Sequence, residues 1–283
     1  MESPIKGYFV FLERKKSGDI FLSPVVEYKK EMGQEYLKKI RYYLPQMLPL
    51  LNKETTPEEY PRRPLYSFNS PCGMCDYALL CIYGDISGYD FTEKKVYPKP
   101  YISPTALIQF DVCPRQWAYH AYGVKSTQRS AAIVLGEAVH GAIEAYLKMA
   151  KECEETFTQI WDAYREAALK YPQKADFLQY REIGVQLCRR FPAFWQHTSQ
   201  RIGVKEIEVE AQRRVRYDSF ILSGKMDLLC SVDRGLTILD WKLTNRKYDD
   251  AWLLLSEQMT SYFLLLDGEG VDNTEDSEII RDQ

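Results

Sequence analysis

The chain has 283 residues, 45% of them hydrophobic and 27% charged, with a formal net charge of −3. That is enough to bury a full core in one large domain or two small ones, and the slight acidity argues against a protein that coats nucleic acid indiscriminately. No apolar stretch approaches bilayer-spanning length, and MESPIKGYFVFLERKK reads as a strand running into a charged turn and not as a signal peptide, so an intracellular, cytoplasmic protein is expected, its seven cysteines reduced or bound to metal.

The first segment, to about residue 95, opens with GYFVFLERKKSGDIFLSPVVEY, two apolar runs around a Lys-Ser-Gly-Asp turn, which predicts a β-hairpin. A helix is expected over about 32–51. The proline-rich stretch TTPEEYPRRPLYSFNSPCGMCDYALLC then ends in a tight cysteine cluster. Residues 96–102 read as a linker. Ser103 as N-cap and Pro104 at the first helical position open a helical segment, SPTALIQFDVCPRQWAYHAYG. Apolar spacing such as Leu135, Val139, Ala142 and Tyr146 predicts further helices at 134–150, 157–171 and 175–198, together a helical lobe. VKEIEVEAQRRVRY alternates as a strand, a hairpin follows it, and a last helix is expected over about 250–266. The tail, 267–283, is acidic and apolar-poor and is expected to be disordered.

That second hairpin, GKMDLLCSVDRGLTILDWK, carries the chemistry. A two-residue loop at Asp233-Arg234 pairs Val232 with Gly235, and the same register sets Asp227 opposite Asp240. Lys242 projects from the same face; Met226, Leu228 and Trp241 point to the other. Two carboxylates that close need a cation between them. A three-residue loop would move Asp227 off Asp240, and a hairpin with two acids and a lysine on a solvated face is also an ordinary surface feature.

Around the hairpin, His140 sits on an amphipathic helix in LGEAVHGAIEAYL, where a neutral imidazole can serve as a third metal ligand or be simply half exposed. Gln258 and Tyr262 in EQMTSYFLLL share a helix face and can hold DNA or order a water, or can form the polar edge of a core helix. Arg213, Arg214 and Arg216, Arg189 and Arg190, and the run Lys38, Lys39, Arg41 can line a groove for phosphates or be solvated faces. Trp117, Tyr119 and Tyr122 can stack on single-stranded DNA or belong to the core.

The ordered series SPTALIQFDVCPRQWAY, GEAVHGAIEAYL, GKMD, LDWK and QMTSY resembles the PD-(D/E)XK nuclease superfamily, in its RecB-like branch, which includes the AddB nuclease domain and the CRISPR-associated adaptation exonuclease. The resemblance implies that His140, Asp227 and Asp240, with the Trp241 carbonyl, bind Mg²⁺ or Mn²⁺. It implies that Lys242 positions and activates the attacking water and that Gln258 and Tyr262 form the branch's QxxxY motif. Lys225, after the motif glycine, departs from the family pattern at a position that is not a ligand. Divalent metal lowers the pKa of a bound water and neutralises charge on the phosphorane-like transition state, so phosphodiester hydrolysis is the expected reaction.

Cys72, Cys75 and Cys81 have the spacing C-x2-C-x5-C, and Cys113 stands in DVCPRQW. The resemblance implies a [4Fe–4S] cluster on these four thiolates; zinc on the same four, or no ligand at all, are the alternatives. Cys153, Cys188 and Cys230 have apolar neighbours and are expected in the core. The order departs from the family, where the hairpin, helix and triple cysteine follow QxxxY. Here they occupy residues 1–95 and precede the nuclease core at 103–266. A circularly permuted monomer, a swapped dimer and a fusion of gene fragments each account for this exchange.

The expected fold is α/β, a mixed central sheet flanked by helices in a restriction-endonuclease-like core, with the helical lobe and a cysteine-ligated patch. The expected function is a metal-dependent DNA exonuclease on single-stranded ends, in repair, recombination or phage DNA processing, with DNA and a helicase or recombination protein as partners and no membrane contact. A non-catalytic iron–sulfur or zinc scaffold derived from such a nuclease is the alternative.

Overall fold

The computed structural model describes residues 5–62, 72, 75–92, 100–167, 169–172, 175–217, 219–244 and 256–267. The first predicted hairpin is present: strand β1 (Ile5–Glu13) returns as β2 (Ile20–Leu22), which pairs antiparallel with Val10, Phe11 and Leu12. A short β3 (Val26–Glu27) pairs with Lys6 and Gly7. Helix α1 (Lys30–Leu51) buries Tyr36, Leu37, Ile40, Leu44, Met47 and Leu50, a stripe at three- and four-residue spacing. Then come α2 (Ala78–Tyr83), β4 (Tyr89–Phe91) and β5 (Tyr101–Ile102). The linker expected at 96–102 therefore ends in a strand, and 96–99 lie outside the described residues.

The segment after Ser103 is two helices, α3 (Pro104–Val112) and α4 (Pro114–Tyr122). Ser103 caps the first as expected, its Oγ accepting the Ala106 N–H at 3.2 Å. The break comes from Pro114, whose ring bars the preceding residue from helical geometry: Cys113 is extended, at φ −159 and ψ 105. Strands β6 (Val124–Ser126) and β7 (Arg129–Ser130) lead to α5 (Ala131–Met149) and α6 (Cys153–Asp162). The helix expected to run to 171 stops at Asp162, and β8 (Leu169–Lys170) instead pairs in parallel with β7. The chain continues through α7 (Phe177–Ile202), β9 (Glu206–Arg216), β10 (Ile221–Val232), β11 (Gly235–Thr244) and α8 (Glu257–Asp267). Of the helix expected from 250, residues 250–255 lie outside the described set and Ser256 is not helical; so does the tail beyond 267.

The fold is α/β, with a mixed central sheet flanked by helices, and its described residues divide into two compact units. The first draws on 1–28, 128–212 and 225–256. Here β11 lies between antiparallel β10 and parallel β1, which runs beside it from Ile5↔Leu236 to Glu13↔Thr244. Val10 and Leu12 share a face with Trp241 and Leu243 in that register, and this face packs on α5, α6 and α7 with Leu135, Val139, Phe157 and Phe191. Cys153, Cys188 and Cys230 belong to the same core. The second unit draws on 29–127, 213–224 and 257–283; in it Ile221 and Leu222 pair with β5, α1 and α3 pack on α8, and α4 packs on α1 and α3.

Candidate active site

The β10–β11 hairpin has the predicted register, with Val232 paired to Gly235 across the Asp233-Arg234 turn and the ladder running to Leu228↔Leu239. Asp227 and Asp240 come at the next step. There the Asp227 carboxylate enters the sheet's bonding: its Oδ2 accepts the Trp241 backbone N–H at 2.7 Å. Met226, Leu228 and Trp241 are buried, as the alternation requires, and the Trp241 ring meets Phe191 edge-on with centroids 5.5 Å apart.

The alternative of an ordinary solvated face fails for Asp240, which is 1% exposed. The physical reason is β1. Its Phe9 and Phe11 stand beside Asp240 and Lys242 in the parallel register, and Phe9 is fully buried. Pairing on both sides turns β11 from one arm of a hairpin into an interior strand. Burial pushes the Asp240 carboxyl up to about 6; the Lys242 ammonium opposes the shift and the Asp227 charge adds to it.

The structure brings four predicted residues together in the first unit. Lys242 Nζ lies 2.6 Å from Asp240 Oδ2, and His140 Nδ1, from α5, lies 3.6 Å from Asp227 Oδ1. Burial acts to lower the His140 pKa, but the Asp227 and Asp240 carboxylates outweigh it, and the net shift is upward. Carboxylate oxygens and an imidazole are donors suited to Mg²⁺ or Mn²⁺, and a buried carboxylate beside a second one gains from a divalent cation. Among the described residues no group of three or more His, Cys, Asp or Glu side chains is placed to hold a metal ion; Asp240 is paired with the Lys242 ammonium.

A ring of charge beside these residues escaped the sequence reading. Lys225, two residues before Asp227, pairs with Glu210, and Lys148 reaches both Glu144 (2.7 Å) and Glu210 (3.5 Å). Glu210 holds φ 56 inside β9, a left-handed conformation that costs a non-glycine residue roughly 1 kcal/mol or more. The one available signal was spacing, since Glu144 lies one turn after His140 on α5.

Gln258 and Tyr262 lie on α8 in the second unit, where Gln258 Nε2 donates to the Tyr262 hydroxyl at 2.7 Å. The glycine of GKMD has a local reason in the same unit: a Cβ on Gly224 would stand 2.6 Å from Leu265 Cδ1 and 3.3 Å from Tyr262 Cε1. The start of α8 is tied down by Lys39 of α1, whose Nζ reaches Glu257 at 2.5 Å and Asp111 at 2.9 Å.

Cys72, Cys75, Cys81 and Cys113 line one small cavity, also in the second unit. The α3–α4 break brings Cys113 to it, and Arg115 anchors the neighbouring chain by donating to the carbonyls of Tyr60 (2.7 Å) and Glu58 (2.5 Å). Burial pushes the Cys75 thiol up to about 11, and the nearby Cys113 and Cys72 add to the shift. Burial of this kind favours the neutral thiol.

Most of the basic clusters are neutralised within the chain. Arg189 pairs with Glu154 at 2.8 Å, Arg190 with Asp19 at 2.9 Å and Lys38 with Glu35 at 2.6 Å. Of the aromatics suggested for stacking, Trp117 and Tyr119 are core and Tyr122 is exposed. No helix among the described residues is long and apolar enough to cross a membrane.

A buried aspartate with a lysine two residues on, and a second aspartate on the adjoining strand of a mixed sheet, have the D…D-x-K spacing that the sequence resemblance implies. A family model of the PD-(D/E)XK nuclease superfamily matches residues 101–279, and the chain belongs to that superfamily. Its nucleases cleave phosphodiesters, act on DNA and typically use Mg²⁺ or Mn²⁺. No curated protein and no solved structure matches the chain. The match begins at Tyr101, so β1, which pairs with β11, lies outside it.

Proposed function

We propose that the protein is a metal-dependent DNA exonuclease of the RecB-like branch, acting on single-stranded ends. The observation that carries the reading is the convergence of Asp227, Asp240, Lys242 and His140 on the β10–β11 hairpin. His140, Asp227, Asp240 and the Trp241 carbonyl would hold Mg²⁺ or Mn²⁺, which when bound supplies charge for the transition state and a more acidic water. Lys242 positions the attacking water, and Gln258 and Tyr262 hold the substrate strand. Repair, recombination or phage DNA processing, beside a helicase or recombination protein, is the setting such an activity fits.

Residues 1–95 are, in this reading, the family's C-terminal half placed first. The parallel pairing of β1 with β11 is the strand contact that a permuted monomer needs. A [4Fe–4S] cluster on Cys72, Cys75, Cys81 and Cys113 joins the exchanged halves; the cavity those cysteines share supports it.

The test of activity is purified protein with Mg²⁺ or Mn²⁺ on labelled single- and double-stranded DNA, beside Lys242→Ala. Wild type cleaving no faster than that variant would end the enzyme reading. Protein purified without oxygen should be brown, with absorbance that bleaches on reduction; a colourless protein with stoichiometric zinc rules out iron–sulfur.

A further inference from the structure

Glu210 holds its left-handed φ of 56 inside β9, in the first unit. Glycine takes that conformation freely, whereas glutamate does so at a cost. What the strained residue secures is a pair of contacts. Its carboxylate meets Lys225 of β10 and, at 3.5 Å, Lys148 of α5, whose ammonium also holds Glu144 at 2.7 Å. The side chains of Glu210 and Glu144 are 32% exposed, Lys148 39% and Lys225 55%. Ion pairs as wet as these add little to stability, so stability alone does not account for a strained residue held among them. Backbone strain of this kind gathers at functional sites.

The places of the four residues show what the contacts reach. His140, Glu144 and Lys148 follow one another at one-turn spacing and share a face of α5. Lys225 and Asp227 are two apart on β10 and project from the same side of that strand. Two ties therefore join α5 to the sheet. One is His140 facing Asp227 at 3.6 Å; the other, two helical turns on, is Lys148 joined to Lys225 through Glu210. The first unites two donors of the proposed metal centre, and the second contains none of them.

We propose that Glu210 is a positioning residue for the metal centre: by joining β10 to α5 it sets the spacing of Asp227 and His140 for a divalent cation. The proposal rests on the nuclease reading for that metal. Simple electrostatics predicts a different pattern. A carboxylate near the centre attracts a cation and a lysine repels it, so losing Glu210 would weaken metal binding and losing Lys225 would strengthen it. A tie fails when either end is cut, so both losses weaken binding and the second adds nothing to the first.

The full chain, without DNA, is titrated with Mn²⁺ by calorimetry, with Asp227→Asn reporting any ion held elsewhere. Glu210→Ala and Lys225→Met should each weaken Mn²⁺ binding about tenfold, as loss of a group that supports metal ligands does, and the double variant should match the singles. Glu210→Gly separates this role from plain folding. It should melt above Glu210→Ala, because glycine takes φ 56 without cost, yet bind Mn²⁺ as weakly. If Glu210→Ala unfolds, Glu210→Gly carries the test. Wild-type affinity in the folded Glu210 variants, tighter binding in Lys225→Met, additive losses in the double variant, or affinity that recovers with stability in Glu210→Gly overturns the proposal. Wild type that takes up no more Mn²⁺ than Asp227→Asn overturns the metal reading, and this proposal with it.

Discussion

Asp227 Oδ2 accepts the backbone N–H of Trp241 at 2.7 Å, while its other oxygen faces His140 at 3.6 Å. One carboxylate thus serves the sheet and the site together. Asp227→Asn keeps an acceptor for that N–H and removes the charge, so it should melt close to wild type yet lose metal-dependent cleavage. Asp227→Ala loses both and should cost about 1–2 kcal/mol more in denaturant unfolding. Equal stability of the two variants would show that the bond contributes nothing.

Asp240 gives a pH dependence of defined sign. Burial raises its carboxyl from 3.8 to about 6, so between those values the folded protein binds more protons than the unfolded chain. Stability from this group therefore falls as pH rises through that window, and the penalty is complete above it, about 3 kcal/mol at most. In chelator, Asp240→Asn should melt above wild type at about pH 8, with the gap closing toward about pH 4. The gain is reduced by the loss of the Lys242 counter-ion. Cleavage by wild type should decline below about pH 6, where protons compete with the metal.

Gly224 tests the seat of the QxxxY helix. The added methyl of Gly224→Ala meets Leu265 and Tyr262, at a cost of about 1–3 kcal/mol if α8 must shift. Activity should fall with it. Leu265→Ala in the same chain should restore part of the activity by making room; no recovery would mean that the glycine matters for another reason.

Gly184 makes a closer approach, since a Cβ there would lie 1.9 Å from Phe157 Cζ. Helices α6 and α7 can touch at that height only without a side chain. Gly184→Ala should be among the most destabilising single changes in the lobe, by about 3 kcal/mol in thermal or urea unfolding.

The N-terminal strand should be indispensable. Phe9, Val10 and Leu12 have no exposed surface, and β1 pairs with β11 along its whole length. Leu12→Ala should cost about 2–5 kcal/mol. A chain starting at residue 29 should show no cooperative unfolding transition, because β11 would become an open, apolar edge.

Several features could be read before any coordinates. The hairpin register followed from its two-residue turn, the Ser103 cap from its Pro104 neighbour, and the core placement of Cys153, Cys188 and Cys230 from apolar surroundings. The burial of Asp240 could not be read from GLTILDWK, because it depends on Phe9, more than two hundred residues earlier. A hint lay in YFVFL, an unbroken apolar run with no alternation, which marks a strand buried on both faces. The α3–α4 break was also legible in Pro114, through its constraint on Cys113.

By itself, the sequence determined which residue types recur at which spacing: two aspartates and a lysine on a hairpin, a histidine on a helix, four cysteines in two segments. Such patterns are local, set by the periods of strand and helix and by turn chemistry. Tertiary structure alone decided that Asp240 is buried with a raised pKa, that Cys113 shares a cavity with Cys72, Cys75 and Cys81, and that Glu210 meets both Lys148 and Lys225. Those properties arise from burial and from contacts between distant segments, and neither is written in the spacing of any one stretch.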